Sequence, residues 1–247
     1  MLETQEELEQ ELNSFFQDLL EEPKINRDRA IDSLMQFIPR KITMKQNDLL
    51  LHPIEMQELD EVVKQMEKGK APCSDGFTSN FFHAFWDLLR EEVWSIVEES
   101  RKSGKVLSAF NATFLTLIPK ENVAESLGKF RPIALCNVIF KIITKTIANR
   151  LKPLFLELVS PEQASFVEGR QILDGIITVN EIIHSLKISR YQGMLVKLDL
   201  SKAYDKLSWN FMEIMLGVFG LVGQWVKWIK NLTSSPLFLI LVNGMPS

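Results

Sequence analysis

The stretch VKLDLSKAYDKLSW, residues 196–209, constrains the fold of this chain more than any other. Apolar residues at 196, 198 and 200 alternate with Lys197 and Asp199. This period of two predicts a strand with one buried face, and residues 201–205 predict a turn that leads into a helix. Asp199 therefore lies at the carboxyl end of the predicted strand, where the functional sites of α/β sheets collect. Its carboxylate is a candidate functional group.

Composition is that of an ordinary globular protein, with 247 residues, 46% hydrophobic and 24% charged. The apolar runs are short and the first ten residues are polar and acidic, which argues against a membrane span and a signal peptide. We therefore expect an intracellular protein, nuclear or cytoplasmic. Cys73 and Cys136 are isolated from each other and from the three histidines, so neither a zinc site nor a disulfide framework is predicted.

The net charge of −4 hides a gradient along the chain. Residues 1–60 contain 14 acidic and 6 basic residues, whereas residues 120–153 contain 2 acidic and 7 basic residues. We expect a polyanion to bind the middle of the chain and not its beginning.

Hydrophobic periodicity predicts a helix-rich chain with a few short strands. Residues 23–53 are punctuated by prolines and weakly patterned, and residues 68–77 form a turn-rich break. The predicted helices are 2–22, 54–68, 79–102, 137–159, 172–187, 208–219 and 222–233, and the predicted strands are 112–120, 131–136, 194–200 and 236–242.

Two of these strands are close enough in sequence to pair as a hairpin. Lys120 ends the first strand and Arg131 begins the second, so a hairpin brings the two cations together beside the connecting loop. The alternative is that both are solvated surface cations.

The last predicted strand is followed by Asn243-Gly244, a strong hairpin signal. Only three residues follow this turn, so the sequence predicts an apolar edge strand without its hairpin partner. From this pattern we expect the natural domain to continue past Ser247.

Several consecutive blocks resemble a non-LTR (LINE-type) retrotransposon reverse transcriptase, most like those of plant genomes. The blocks are LTLIPK (115–120), KFRPIALCNVIFKIITKTIANRL (129–151), PEQASFVEGR (161–170), VKLDLSKAYDKLSW (196–209) and LVNGMPS (241–247), preceded by KAPCSDGF (70–77). The resemblance implies an α+β right-hand polymerase. We expect an acidic helical lead-in at 1–64 and a reverse transcriptase domain at 65–247 with helix-rich fingers, an incomplete palm and no thumb.

The resemblance also assigns roles at the end of the Asp199 strand. The family copies RNA into DNA with two Mg²⁺ ions, for which Mn²⁺ can substitute, and Asp199 corresponds to the first metal-binding aspartate. The carbonyl of Leu200 is a further candidate ligand, and the amides of Lys202 and Ala203 are candidates to meet the triphosphate. Tyr204 corresponds to the aromatic gate that selects deoxynucleotides; the alternative is a core aromatic.

Further positions correspond to family residues that contact phosphate. Lys120 and Arg131 resemble the fingers residues that hold the incoming deoxynucleoside triphosphate. Lys141, Lys145 and Lys152 are candidates to follow the template backbone, although a solvated helix face is an equal alternative. Gln163 and Arg170 match positions near the template. The implied partners are an RNA template, a DNA primer and deoxynucleoside triphosphates.

The chain departs from the family pattern in two respects. Cys73 and Ser74 replace a Gly-Pro pair; if the glycine position needs a positive φ angle, Cys73 is strained by about 1–2 kcal/mol. The R-Q-G-D-P block and the two-aspartate box are not found, so we expect weak magnesium binding and no polymerisation by these 247 residues. Two alternatives stay open: a non-catalytic nucleic-acid-binding or interaction protein derived from a retroelement, and a group II intron maturase.

Overall fold

The computed structural model describes residues 4–22, 26–161, 163, 167–189, 192–194, 196 and 206–246. The helices are α1 (Gln5–Leu20), α2 (Asp28–Met35), α3 (Met44–Leu51), α4 (Met56–Lys64), α5 (Ser79–Ala84), α6 (Trp86–Ser103), α7 (Ser108–Asn111), α8 (Val138–Leu158), α9 (Ile172–Ser189), α10 (Trp209–Phe219) and α11 (Gly223–Ser234). The strands are β1 (Ala112–Pro119), β2 (Phe130–Cys136), β3 (Leu237–Val242) and β4 (Met245–Pro246). The predicted helix-rich α+β class is confirmed.

The strands form one sheet in the order β2-β1-β3-β4. β1 pairs antiparallel with β2, as predicted, and parallel with β3 from Ala112↔Leu237 to Leu115↔Ile240. The prediction that the last apolar strand is unpaired is therefore wrong. A parallel partner more than a hundred residues away leaves no local trace in sequence, because only the crossover connection brings it near. The predicted strand at 194–200 falls largely outside the described residues.

The predicted hairpin turn after β3 is confirmed. Asn243 and Gly244 both have positive φ angles, 51° and 83°, which a two-residue type I′ turn requires. β4 then returns antiparallel to β3.

The helices differ from the sequence prediction in two regions. α2 and α3 lie in the proline-containing stretch where no helix was predicted; each is only eight residues long, which is too short for a clear periodic signal. The predicted helix 79–102 is two helices that meet at Phe85, whose φ of −113° and ψ of 19° are not helical. Among the described helices, none combines the length and the apolarity needed to cross a bilayer.

The main hydrophobic core lies among α3, α4, α6, α8 and α11. Leu59 of α4, Val97 of α6 and Ile142 and Ile143 of α8 are fully buried there. α8 follows β2 directly after Asn137, so the core also fixes the base of the β1–β2 hairpin. The predicted apolar face of α8 is confirmed.

Arg150 of α8 holds the connection between α3 and α4. Its guanidinium donates two hydrogen bonds to the Glu58 carboxylate, at 2.8 and 2.5 Å. It also donates to the carbonyls of Leu50, His52 and Pro53, at 3.0, 2.6 and 2.7 Å. One side chain thus satisfies three backbone acceptors that no regular element would satisfy.

A second ion pair holds the same connection from α6. Arg101 donates to both oxygens of Glu98, at 2.7 and 2.6 Å, and to the Leu51 carbonyl at 2.8 Å. Glu98 in turn accepts from the backbone N–H of Ile54 at 3.1 Å. Both charged side chains are buried, so each depends on the other for compensation of its charge.

Two indole groups complete this arrangement. Trp94 Nε1 donates to the Ile54 carbonyl at 2.6 Å, and Trp225 Nε1 donates to the Leu50 carbonyl at 3.0 Å. All five carbonyls from Leu50 to Ile54 therefore accept a hydrogen bond from a side chain of α6, α8 or α11.

Replacing Arg150 with alanine is expected to lower the free energy of unfolding by about 3–5 kcal/mol, because it leaves the His52 and Pro53 carbonyls and the Glu58 carboxylate without their side-chain donor. Arg90→Ala is the matched control, since its ion pair with Asp60 is about one-third exposed and is expected to contribute less than about 1 kcal/mol. Urea denaturation of both variants measures the difference. Equal losses in the two variants would contradict this role for Arg150.

Gly220 is expected to tolerate no side chain. Its φ is 101°, and an added Cβ would lie 2.9 Å from the Ile42 carbonyl oxygen and 2.8 Å from Arg40 Nε. Gly220→Ala should destabilise the protein by more than about 1 kcal/mol. Gly217→Ala, in the preceding helix turn with open space around it, should be neutral or stabilising in the same thermal melts.

Acid is expected to destabilise the core through two ion-paired carboxylates, the buried Glu98 and the half-buried Glu58. Burial by itself raises the pKa of Glu98, but hydrogen bonds from Arg101 and the Ile54 amide lower it further than burial raises it. The pKa of Glu58 is lowered in the same way, with Arg150 outweighing burial. A carboxylate whose pKa is lower in the folded state stabilises that state above its unfolded pKa, near about 4.3, and this stabilisation is lost as pH falls through the folded value.

The measurement is the urea midpoint between about pH 7 and pH 3. Glu98→Gln should be less stable at neutral pH and should lose less stability on acidification than the wild type. Glu91→Gln, an exposed change on the same helix, should keep the wild-type slope. A Glu98→Gln variant with an unchanged acid slope would refute this source of acid sensitivity.

Candidate nucleotide and template site

The β1–β2 hairpin brings Lys120 and Arg131 to one end of the sheet. Ile118 pairs with Arg131 and Pro119 with Phe130, and the backbone N–H of Lys120 donates to the Lys129 carbonyl at 2.9 Å. Residues directly opposite one another share a face of an antiparallel pair, and residues two apart on a strand do too. The pairing thus places Lys120 and Arg131 as diagonal neighbours.

Lys120 and Arg131 border a pocket of about 230 Å³. The remaining lining residues come from α1 and from the two ends of the hairpin loop: Phe15, Phe16, Leu19, Leu127, Phe130 and Pro132. The predicted convergence of the two cations at the hairpin agrees with this arrangement. The pocket combines positive charge with apolar and aromatic walls.

The two cations differ in how their donors are used. Lys120 is exposed, and its Nζ donates to the Gly128 carbonyl at 2.8 Å, which fixes the side chain along the loop. Arg131 is exposed, and within the described residues its guanidinium has no hydrogen-bond or ion-pair partner. Lys129 pairs with Glu121 at 2.9 Å, so this loop charge is already neutralised. Arg131 therefore has its full set of donors available for a bidentate contact with phosphate.

Helix α1 packs across the sheet beside this pocket. Its Leu12 and Phe16 are buried against Leu115 of β1 and Ile240 and Val242 of β3. The sequence predicted α1 and its apolar stripe correctly but contained no sign of which surface the stripe covers. Thr4 caps the helix in a reciprocal pair with Glu7.

The three lysines proposed to follow the template lie on α8. Lys141 and Lys145 are half-buried and Lys152 is exposed. Lys145 Nζ donates to the Gln65 carbonyl at 3.4 Å, and Lys152 pairs with Glu168 at 3.4 Å. The three lysines therefore differ in environment: Lys145 contacts a backbone carbonyl and Lys152 an acidic side chain. Within the described residues, the ammonium group of Lys141 contacts neither kind of group.

Arg170 has a structural role in the loop that follows α8. It donates to the carbonyls of Ser160, Gln163 and Val159, at 2.5, 2.8 and 3.1 Å. Gln163 is exposed and belongs to this loop. Sequence reasoning missed the loop contacts of Arg170. A single arginine after a glycine does not indicate which backbone carbonyls the turn will bring near it.

The condition for strain at Cys73, a positive φ angle, is not met. Among the described residues other than glycine, only Asn243 has a positive φ angle, whereas Gly76 of the same block has a φ of 74°. The positive φ falls at Gly76 because the turn closes there, with the Gly76 N–H donating to the Cys73 carbonyl at 3.0 Å. Cys73 is buried, and its Sγ contacts the Ala112 carbonyl at 3.5 Å.

Asp199, Leu200, Lys202, Ala203 and Tyr204 lie outside the described residues. Within the described part of the chain, no group of three histidine, cysteine, aspartate or glutamate residues is placed to hold a metal ion.

Residues 118–246 match the family described as reverse transcriptase (RNA-dependent DNA polymerase). The match begins at the end of β1 and includes Lys120, Arg131, α8 and the β3–β4 hairpin. It covers more than half of the chain.

Curated relatives come from retrotransposable elements. The chain is 28% identical over 242 residues to the transposon TX1 uncharacterized 149 kDa protein of Xenopus laevis, covering 98% of this chain and 18% of that protein. It is 22% identical over 166 residues to the retrovirus-related Pol polyprotein of the type-1 retrotransposable element R1 of Bradysia coprophila, covering 66% of this chain and 16% of that protein. It is 27% identical over 157 residues to the retrovirus-related Pol polyprotein of the type-1 retrotransposable element R2 of Popillia japonica, covering 63% of this chain and 21% of that protein.

The chain thus spans about a fifth of the length of these relatives. The order of the sequence blocks, the hairpin with its two cations and the family match agree with one another. The chain belongs to the reverse transcriptase (RNA-dependent DNA polymerase) family, as a domain of the non-LTR retrotransposon type.

Proposed function

We propose that this chain forms the fingers and the first half of the palm of a LINE-type reverse transcriptase and that its β1–β2 hairpin binds the incoming deoxynucleoside triphosphate. The supporting observation is that Lys120 and Arg131 border one pocket at the loop end of the hairpin. An arginine with unused donors and a lysine fixed by the loop suit a polyphosphate, because the arginine can bind bidentately and the lysine acts as a point charge.

The acidic segment 1–64 is proposed as a lead-in and residues 65–247 as the polymerase domain. The two share a core, since Leu59 and Val63 of α4 pack in the cluster that contains Ile142 and Ile143 of α8. The boundary therefore marks a difference in sequence character and not a separation in space.

The template is proposed to run along the cationic side of α8. Lys141 is the strongest of the three candidate lysines, because the ammonium groups of the other two already contact Gln65 and Glu168. Gln163 and Arg170 are proposed to shape the loop beside the template. The donors of Arg170 already bind carbonyls, so it would act by holding that loop.

Asp199 is proposed as the metal-binding aspartate, with the Leu200 carbonyl as a second oxygen ligand. Reverse transcriptases use divalent metal ions, and carboxylate and carbonyl oxygens are the ligands that magnesium favours. Lys202 and Ala203 are proposed to meet the triphosphate through their amides, and Tyr204 to select deoxyribose. Because the family's two-aspartate box is not in the 247 residues, we propose that this polypeptide binds substrates without extending a primer.

The double change Lys120→Gln with Arg131→Gln is expected to weaken binding of dTTP at least about tenfold, because each charge-assisted hydrogen bond contributes about 1.5–3 kcal/mol. Isothermal titration of dTTP into the full chain in magnesium buffer measures the affinity. Both residues are exposed, so circular dichroism and thermal stability should stay unchanged.

The matched control removes the same charges elsewhere, with Lys105→Gln and Arg29→Gln, both exposed and neither lining the pocket. This control should bind dTTP about as well as the wild type. If the two double variants bind equally, the hairpin is not the triphosphate site and the proposal fails.

A further inference from the structure

Helix α1 is the most one-sided charged segment that the structure describes. Residues 4–22 contain seven acidic residues and no basic residue. The helix nevertheless packs next to the two cations of the hairpin, because Phe15, Phe16 and Leu19 line the same pocket as Lys120 and Arg131. An acidic helix therefore borders a site whose proposed ligand is an anion.

Two of the acidic residues are placed to act on this pocket. Glu11 precedes Phe15 by four residues and Asp18 follows it by three, so both lie on the Phe15 side of the helix, about one turn or 5.4 Å along the axis. Glu11 also borders a neighbouring cavity of about 750 Å³ together with Ser126 and Gly128 of the hairpin loop. Glu11 and Asp18 thus lie about one helical turn before and after Phe15, which lines the pocket, and Asp18 also borders a separate cavity with Arg27 and Lys206.

Two other acidic residues of the segment 4–22 are already engaged in the fold. Glu7 takes part in the cap of the helix, and Glu22 pairs with Arg27 at 3.1 Å. Glu11 and Asp18 are exposed and lie in the helix interior, so their replacement by amides should leave the fold intact.

Charges at this separation interact in solution. The Debye length is about 8 Å at physiological ionic strength, so a carboxylate one helical turn from Phe15, which lines the pocket, is expected to repel a polyphosphate bound there. In the absence of nucleotide the same carboxylates attract the cationic side chains of Lys120 and Arg131. This attraction stabilises the unliganded site relative to the anion-bound site.

We propose that α1 is an intramolecular electrostatic attenuator of the hairpin site, lowering the affinity of Lys120 and Arg131 for polyphosphate anions through Glu11 and Asp18. This inference rests on the proposed function of that hairpin. The helix is suited to such a role because its buried contacts form a small cluster of their own, separate from the main core. Its charge can therefore change without a change in the packing that holds the hairpin's base.

The test is the double variant Glu11→Gln with Asp18→Asn, titrated with dTTP in the full chain. We expect binding about fivefold tighter than the wild type at about 0.1 M salt, with the gain shrinking as the salt is raised and the Debye length falls. The control is Glu91→Gln with Glu92→Gln, two exposed acidic residues on α6, which should leave the affinity unchanged. Circular dichroism checks that α1 is retained.

The same α1 changes are then made in the Lys120→Gln, Arg131→Gln background. Loss of the gain in that background supports the inference, because it shows that the carboxylates act on those two cations. An undiminished gain, or an equal gain in the α6 control, overturns it. If the α1 variant binds like the wild type while the hairpin variant loses binding, the attenuator is refuted and the proposed function stands. If the hairpin variant keeps wild-type affinity, the proposed function itself is refuted.

Discussion

The backbone of residues 50–54 depends on side chains from distant parts of the chain, and much of the structure depends on that connection. Arg150 and Arg101 each combine an ion pair with backbone carbonyls, and Trp94 and Trp225 donate to the two ends of the segment. Because a carbonyl that loses its partner on burial is costly, these hydrogen bonds favour the observed packing of α6, α8 and α11 around the connection. These side chains thus fix the connection between α3 and α4 against the core.

That fixed core positions the candidate site. α8 follows β2 after Asn137, so the helix that contains Arg150 is joined directly to the hairpin. The other side of β1 is held by parallel pairing with β3, which brings the far end of the chain against the hairpin. Lys120 and Arg131 project from an element held on both edges of β1, and a rigid support of this kind reduces the cost of ordering cationic side chains around a phosphate.

Sequence reasoning and structure agree where the signal is local. The period of α8, the β1–β2 pairing and the Asn243-Gly244 turn each follow from a few neighbouring residues, and all three are confirmed. The prediction failed where contact is made across long sequence distances, as in the parallel pairing of β3. At Cys73 the sequence left open whether a positive φ angle is needed; the structure places that angle at Gly76, because which residue of a turn adopts it depends on how the turn closes.

The sequence alone determined the family and the identity of the candidate phosphate-binding cations, because blocks of characteristic residues and their spacing are properties of the chain itself. It also determined that the beginning of the chain is acidic and the middle basic. Only the tertiary structure decided that these two regions meet. The apolar stripe of α1 could cover any apolar surface of suitable shape, and packing against Leu115, Ile240 and Val242 sets it beside Lys120 and Arg131. Burial of apolar area is non-directional, so the partner of an amphipathic helix is chosen by the whole fold and not by the helix.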